Sequence, residues 1–185
     1  MAGKSPKSTK FPELFDRILA ELGSILNQID LKNAEKLMEG ILSSERIFLA
    51  GMGRSGLIAR AFAMRLMQIG IEVYFVRDVT TPAIGKGDLL VAISGSGETG
   101  GTHYIASTAR SFGARVFLLT SREKSRIGHI ADLIFILPDA PERVMPLRSA
   151  FENAVYIFLD AAVMMIMAEK GITQEEMMQK HSNLD

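Results

Sequence analysis

Residues 47–76 read IFLAGMGRSGLIARAFAMRLMQIGIEVYFV. This stretch decides the fold. It opens with the short aliphatic run IFLA (47–50) and breaks at a glycine turn, Gly51-Met52-Gly53-Arg54-Ser55-Gly56. A helical segment over 55–69 follows, closed at Gly70, and then a second run, VYFV (73–76). Both runs are too uniformly apolar for a sheet with one wet face. Outward from them lie three more such runs, LLVAI (89–93), VFLLT (116–120) and LIFIL (133–137). The spacing predicts helices near 98–112, closed at Gly113, and near 123–130, with loop over 78–87. Strands apolar on both faces and alternating with helices predict an α/β fold: a five-stranded parallel sheet with right-handed crossovers and helices on both sides. The expected strand order is 2-1-3-4-5, a flavodoxin-like three-layer sandwich.

On the N-terminal side, Leu14, Phe15, Ile18, Leu19, Leu22, Ile25, Leu26 and Ile29 recur at helical spacing. A second helix is expected from Asp30, as N-cap, to about Ser43. Beyond the last strand, a linker with Pro138, Pro141 and Pro146 leads into a long helix, about 147–170, and a shorter one starting near Thr173. At 185 residues the chain accommodates one domain, 1–185, with residues 1–10 as a frayed tail.

With 21 Lys+Arg against 21 Asp+Glu, there is no broad cationic field to capture nucleic acid or a membrane surface, so any anion must be held locally. Cysteine is absent, which excludes disulfides and thiol chemistry and fits a reducing compartment. The segment MAGKSPKSTK lacks the apolar stretch of a secretory signal. The run Ala154–Ala168, interrupted by Asp160, reads as a buried helix rather than a membrane span.

The turn at 51–56 matches G-x-G-x-x-G between a strand and a helix. There, glycines such as Gly53 let backbone approach an anion, the helix start offers free N–H groups, and Arg54 and Ser55 add a charge and a hydroxyl. The alternative is a tight turn with close helix–strand packing. The third strand ends in Ser94-Gly95-Ser96-Gly97-Glu98-Thr99, with three hydroxyls among glycines at another helix start. Ser94, Ser96 and Thr99 can donate to phosphate oxygens, together with backbone N–H groups from Gly95 and Gly97 onward. Helix capping by Ser94 or Ser96 is the alternative, and the two readings are compatible. With strand order 2-1-3-4-5 both loops open onto one crevice. A dinucleotide site also remains open, with Asp78 as its ribose-binding acid, although the length leaves no room for a separate substrate domain.

Glu152, Tyr156 and Asp160 fall at four-residue intervals on the long helix. Spacing alone reads them as a solvated stripe, with an acid/base role for Glu152 as the alternative. Met164, Met165 and Met167 read as core or subunit contact. His103 and His129 sit in amphipathic patterns, whereas His181 lies in the polar tail HSNLD. No spacing of His, Asp and Glu suggests a metal site.

Taken together, GMGRSGLIARAFAMRLMQIG, TPAIGKGDLLVAISGSGET and FEN…HSNLD resemble the sugar isomerase (SIS) domain, and within it the 6-phospho-3-hexuloisomerases. The resemblance spans nearly the whole chain. It implies a homotetramer that interconverts 3-hexulose 6-phosphate and fructose 6-phosphate in formaldehyde fixation by the ribulose monophosphate pathway, or in the reverse direction. It also implies that Glu152 and His181 are catalytic. Two positions depart from the family pattern: Arg148 stands where glycine is usual, and Asp185 where Glu is usual.

Moving a carbonyl from C3 to C2 needs a base that lifts the C2 proton and returns one to C3 through an enediol. A carboxylate paired with an imidazole suits that task, by analogy with triosephosphate isomerase, a known case of the pairing. The expectation is a cytoplasmic, cofactor-free isomerase with Ser55, Ser94, Ser96 and Thr99 on phosphate, Glu152 as base and His181 reaching in from an adjacent protomer. Gly53, Arg54, Gly95 and Gly97 complete the expected substrate contacts. Surplus apolar helix surface points to a homo-oligomer, most simply a tetramer. The rivals are an arabinose 5-phosphate isomerase and a non-catalytic phosphosugar-sensing SIS module. The second lacks a helix-turn-helix extension or basic face with which to reach DNA.

Overall fold

Every residue of β1 (Ile47–Gly51) and β3 (Leu89–Ile93) is buried, as the unbroken apolar runs require. They pair in parallel, Ile47 opposite Leu89 and Gly51 opposite Ile93, at the centre of a five-stranded sheet. β2 (Val73–Phe75), β4 (Arg115–Thr120) and β5 (Leu133–Ile136) complete the order β2-β1-β3-β4-β5, all parallel. The structure is a computed structural model describing residues 10–184. Most of the expected tail, and Asp185, lie outside the described residues.

Because side chains alternate along a strand, the sheet feeds two cores. Ile47, Leu49, Leu89, Val91 and Phe135 face α1 (Phe11–Leu26), α2 (Leu31–Leu42), α3 (Gly53–Gln68) and α5 (Ser149–Lys170). Phe48, Ala50, Leu90, Ala92 and Leu118 face α4 (Gly100–Ser111) through its Ala106 and Ala109. A short helix, α6 (Gln174–Gln179), follows the αL cap at Gly171 and carries a full capping box between Thr173 and Glu176. α5 is long and apolar enough to pass for a membrane span, yet half of it is buried, with Phe151, Val155, Phe158 and Val163 in the core. It is the core helix its pattern predicts.

Three local expectations shift. α1 stops at Leu26, beyond which the Gln28 and Ile29 N–H groups switch to three-residue bonds to the Ile25 and Leu26 carbonyls, so Ile29 falls outside it. α4 starts at Gly100 because residues 94–99 form a loop. Residues 123–130 form only a 3₁₀ turn, Gly128–Ile130, because their N–H groups serve tertiary partners: Ile127 donates to the Gly97 carbonyl and Arg126 to the Glu98 carboxylate.

Two buried carboxylates fasten loops to this frame. Asp88, 1% exposed, takes a bidentate grip from Arg46 at 2.9 and 2.7 Å and accepts from the Gly85 N–H, at the amino ends of the strands and so opposite the glycine loops. Glu21 on α1 accepts from the N–H groups of Val144 and Met145, holding the linker that enters α5.

Candidate active site

The turn after β1 uses its glycines in two ways. A Cβ on Gly56 would stand 2.7 Å from the Gly51 carbonyl oxygen, and one on Gly51 would stand 2.8 Å from the Ser55 backbone, so these two are required by close contact of strand end and helix. Gly53 faces open space at φ +56° and supplies the turn. Packing and anion-binding readings of the motif therefore apply to different residues. Ser55 is buried, and the first N–H groups of α3 point out of the helix start.

After β3, Ser94 is 2% exposed, and its Oγ is hydrogen-bonded to Thr99 Oγ1 at 3.0 Å. Ser96 Oγ accepts from the Glu98 N–H. The N-cap of α4 is Thr99, whose side chain makes no capping bond, so neither Ser94 nor Ser96 caps the helix. Among the described residues, the N–H groups of Gly100, Gly101 and Thr102 find no acceptor. Thr102 Oγ1, on the same turn, is also a buried polar atom without a partner. Free N–H groups of this kind at a helix start are what an anion would accept from.

The loop is braced from outside itself. Thr120 Oγ1 and Ser121 Oγ donate to the Gly95 carbonyl, and Gly97, at φ +66°, packs against Ser125. Sequence reasoning missed these three, because their partners are on the backbone of another loop.

Both loops and the start of α5 converge. Met52 reaches across to Gly101, the Phe151 ring lies against Gly95, and Arg54 Nε donates to Glu152 Oε2. The Glu152 side chain is only 15% exposed, whereas Tyr156 is 41% exposed and Asp160 meets Arg65 at 3.5 Å. The stripe thus divides: Glu152 stands beside the two loops, Tyr156 is exposed, and half-buried Asp160 pairs with Arg65 further along the helix. Leu147 and Arg148, immediately before α5, both adopt positive φ, 52° and 62°, the second at the position where the family resemblance expects glycine.

His181 stands elsewhere. It is exposed and lines a groove of about 720 Å³ with Met64, Gln68, Asp160, Met167 and Met177. Arg65, at the level of this groove, lies about three turns and 16 Å along α3 from Arg54. Within one chain Glu152 and His181 do not meet. His103 lies within α4 and His129 in the 3₁₀ turn, and the site as described draws on neither. Asp78 is gripped by both Nη atoms of Arg60, which occupies the acid that a dinucleotide site would use. Among the described residues no three His, Asp or Glu side chains cluster as metal ligands.

A crevice of this form, at the carboxyl ends of adjacent parallel strands, defines a class. Residues 40–166 match the SIS domain model, and the chain belongs to the SIS domain family. More particularly, it is 39% identical over 184 residues to the 3-hexulose-6-phosphate isomerase of Bacillus subtilis (strain 168), covering 95% of this chain and 100% of that one. Its identity to the 3-hexulose-6-phosphate isomerase of Mycobacterium gastri is 34% over 172 residues, covering 89% and 86%. A crystal structure of a hypothetical protein from Methanococcus jannaschii, described as inferring a 3-hexulose-6-phosphate isomerase function, matches with a TM-score of 0.86 at 32% identity, covering 94% and 99%.

Proposed function

We propose that this protein is a 6-phospho-3-hexuloisomerase, interconverting 3-hexulose 6-phosphate and fructose 6-phosphate. The observation that carries the reading is Glu152: a shielded carboxylate held by Arg54 between two glycine-rich loops, in a chain related over 95% of its length to such an isomerase.

The phosphate is received by the N–H groups at the start of α4 with the hydroxyls of Ser94, Ser96 and Thr99, and Ser55 approaches from the neighbouring loop. Gly53, Gly95 and Gly97 contribute backbone rather than side chain. Arg54 fixes the base. Glu152 takes the proton from C2 while the C3 oxygen gains one, giving the C2–C3 enediol. The O2 proton then leaves as a proton is returned to C3, which places the carbonyl at C2. Proton transfers alone balance the reaction. The anchored phosphate, remote from both carbons, sets which hydrogen faces Glu152.

His181 moves the hydroxyl protons, acting from a neighbouring subunit of a homotetramer. Support comes from its distance from Glu152 in its own chain and from exposed apolar side chains: Phe11, Phe15 and Leu19 on α1, Met164 and Met165 on α5. The setting is cytoplasmic formaldehyde fixation by the ribulose monophosphate pathway, or its reverse. The deciding experiment supplies the purified protein with 3-hexulose 6-phosphate and, separately, arabinose 5-phosphate. Fructose 6-phosphate forming from the first, with the second untouched, is the expected result. Turnover of arabinose 5-phosphate alone, or of neither, overturns the reading.

A further inference from the structure

Two residues beyond β2, Arg77 adopts φ +87°, a left-handed conformation that a non-glycine residue enters only at a cost. Arg77 is exposed, and no side chain among the described residues pairs with it. The adjacent carboxylate, Asp78, is occupied by Arg60, and among the described residues the Arg77 guanidinium makes neither an ion pair nor a hydrogen bond. Its Nη2 reaches instead across the end of the sheet to α4. There it lies 3.5 Å from where a Cβ on Gly101 would stand, beside the Met52 thioether. Gly101 is in the first turn of α4, among N–H groups without an acceptor. A cation at that end of a helix faces the positive pole of the macrodipole. Backbone strain and like-signed electrostatics therefore coincide at the mouth of the crevice. An anion that accepts from the guanidinium and from the α4 N–H groups together removes the electrostatic conflict and gives both sets of donors a partner.

We propose that Arg77 is a substrate-binding residue that donates to the phosphate of the phosphosugar from the β2 side, while Ser94 and Thr99 donate from within the loop. The identity of the anion rests on the function proposed above; the cationic contact does not.

The test compares wild type with Arg77→Gly and Arg77→Lys, measuring binding of inorganic phosphate and of fructose 6-phosphate by calorimetry, alongside melting temperature and steady-state kinetics. Glycine removes the fork and relieves the strained φ. Its expected signature is at least tenfold weaker binding of both anions with no loss of melting temperature in the ligand-free protein. KM should rise about as much while kcat at saturation stays close to wild type. Lysine keeps the charge without the bidentate fork and should fall between the two. Wild type that binds neither anion, or a glycine variant that binds both as tightly as wild type, overturns the proposal. If the glycine variant does not fold, lysine-variant binding equal to wild type overturns it instead. Anion binding that weakens in the variants of a protein inactive on 3-hexulose 6-phosphate retains the Arg77 contact and rejects the isomerase reading.

Discussion

At the scale of single residues, the proposed chemistry turns on one carboxylate. Glu152→Gln keeps the shape and the hydrogen bond from Arg54 but removes the base, so turnover should fall by about two orders of magnitude or more with circular dichroism unchanged. Near-normal turnover returns Glu152 to a structural ion pair. Thr99→Ala deprives Ser94 of its partner, and Ser96→Ala removes the acceptor for the Glu98 N–H. Each should raise KM by about tenfold or more, the equivalent of about 1.5 kcal/mol or more for a charge-assisted hydrogen bond. Unchanged KM in both variants rejects the phosphate loop. The acid and the hydroxyls were legible in the sequence because their side chains name their own chemistry. Arg54 as the partner of Glu152 was not, since the two stand 98 residues apart and meet only because α3 and α5 begin side by side. Thr120, Ser121 and Ser125 escaped notice for a like reason: they act on the backbone of another loop, which no local pattern records.

At the scale of elements, the seat of α3 is the most sharply constrained. Gly56→Ala forces a methyl to within 2.7 Å of the Gly51 carbonyl oxygen. It should destabilise the protein by about 1–3 kcal/mol, seen as a lowered melting temperature; an unchanged melting temperature means that strand and helix do not touch as described. α6 carries a pH dependence. Hydrogen bonds from the Thr173 N–H and hydroxyl hold the Glu176 carboxyl below its ordinary value of 4.5. A depressed carboxyl stabilises the fold above its unfolded pKa, and that contribution fades as pH falls through the folded value. Amide protection within 174–180 should therefore be retained at pH 6 and lost first in acid, with Thr173→Ala losing it already at pH 6. The central strands were readable because burial on both faces leaves no polar position to confuse the pattern, and the half-buried edge strands β2 and β5 kept the same apolar character. The expected helix at 123–130 failed because a distant loop claims the N–H groups that a helix would have used.

At the scale of the whole molecule, the alternation of strands and helices predicted a parallel sheet covered on both sides but left its order open; 2-1-3-4-5 was the expected order among the doubly-wound possibilities, and it is the order found. The role proposed for His181 depends on a second chain. Light scattering at micromolar concentration should report an oligomer, expected to be a tetramer, and a monomer contradicts the use of the exposed faces of α1 and α5 for assembly. Mixing Glu152→Gln with His181→Ala protein under verified subunit exchange should restore activity, because some interfaces then carry both wild-type groups. Complete exchange without recovery confines His181 to its own chain or removes it from catalysis.

The contact between Gly51 and Gly56 also bears on the rate of capture. A strand end and a helix start that leave no space for a methyl group form one stiff corner, already in its final shape before any ligand arrives. Little backbone entropy remains there to be lost when an anion docks. Encounter should then be governed by diffusion and local charge rather than by closure of that loop. Tighter holding has to come from additional donors, because the corner has almost no slack left to remove.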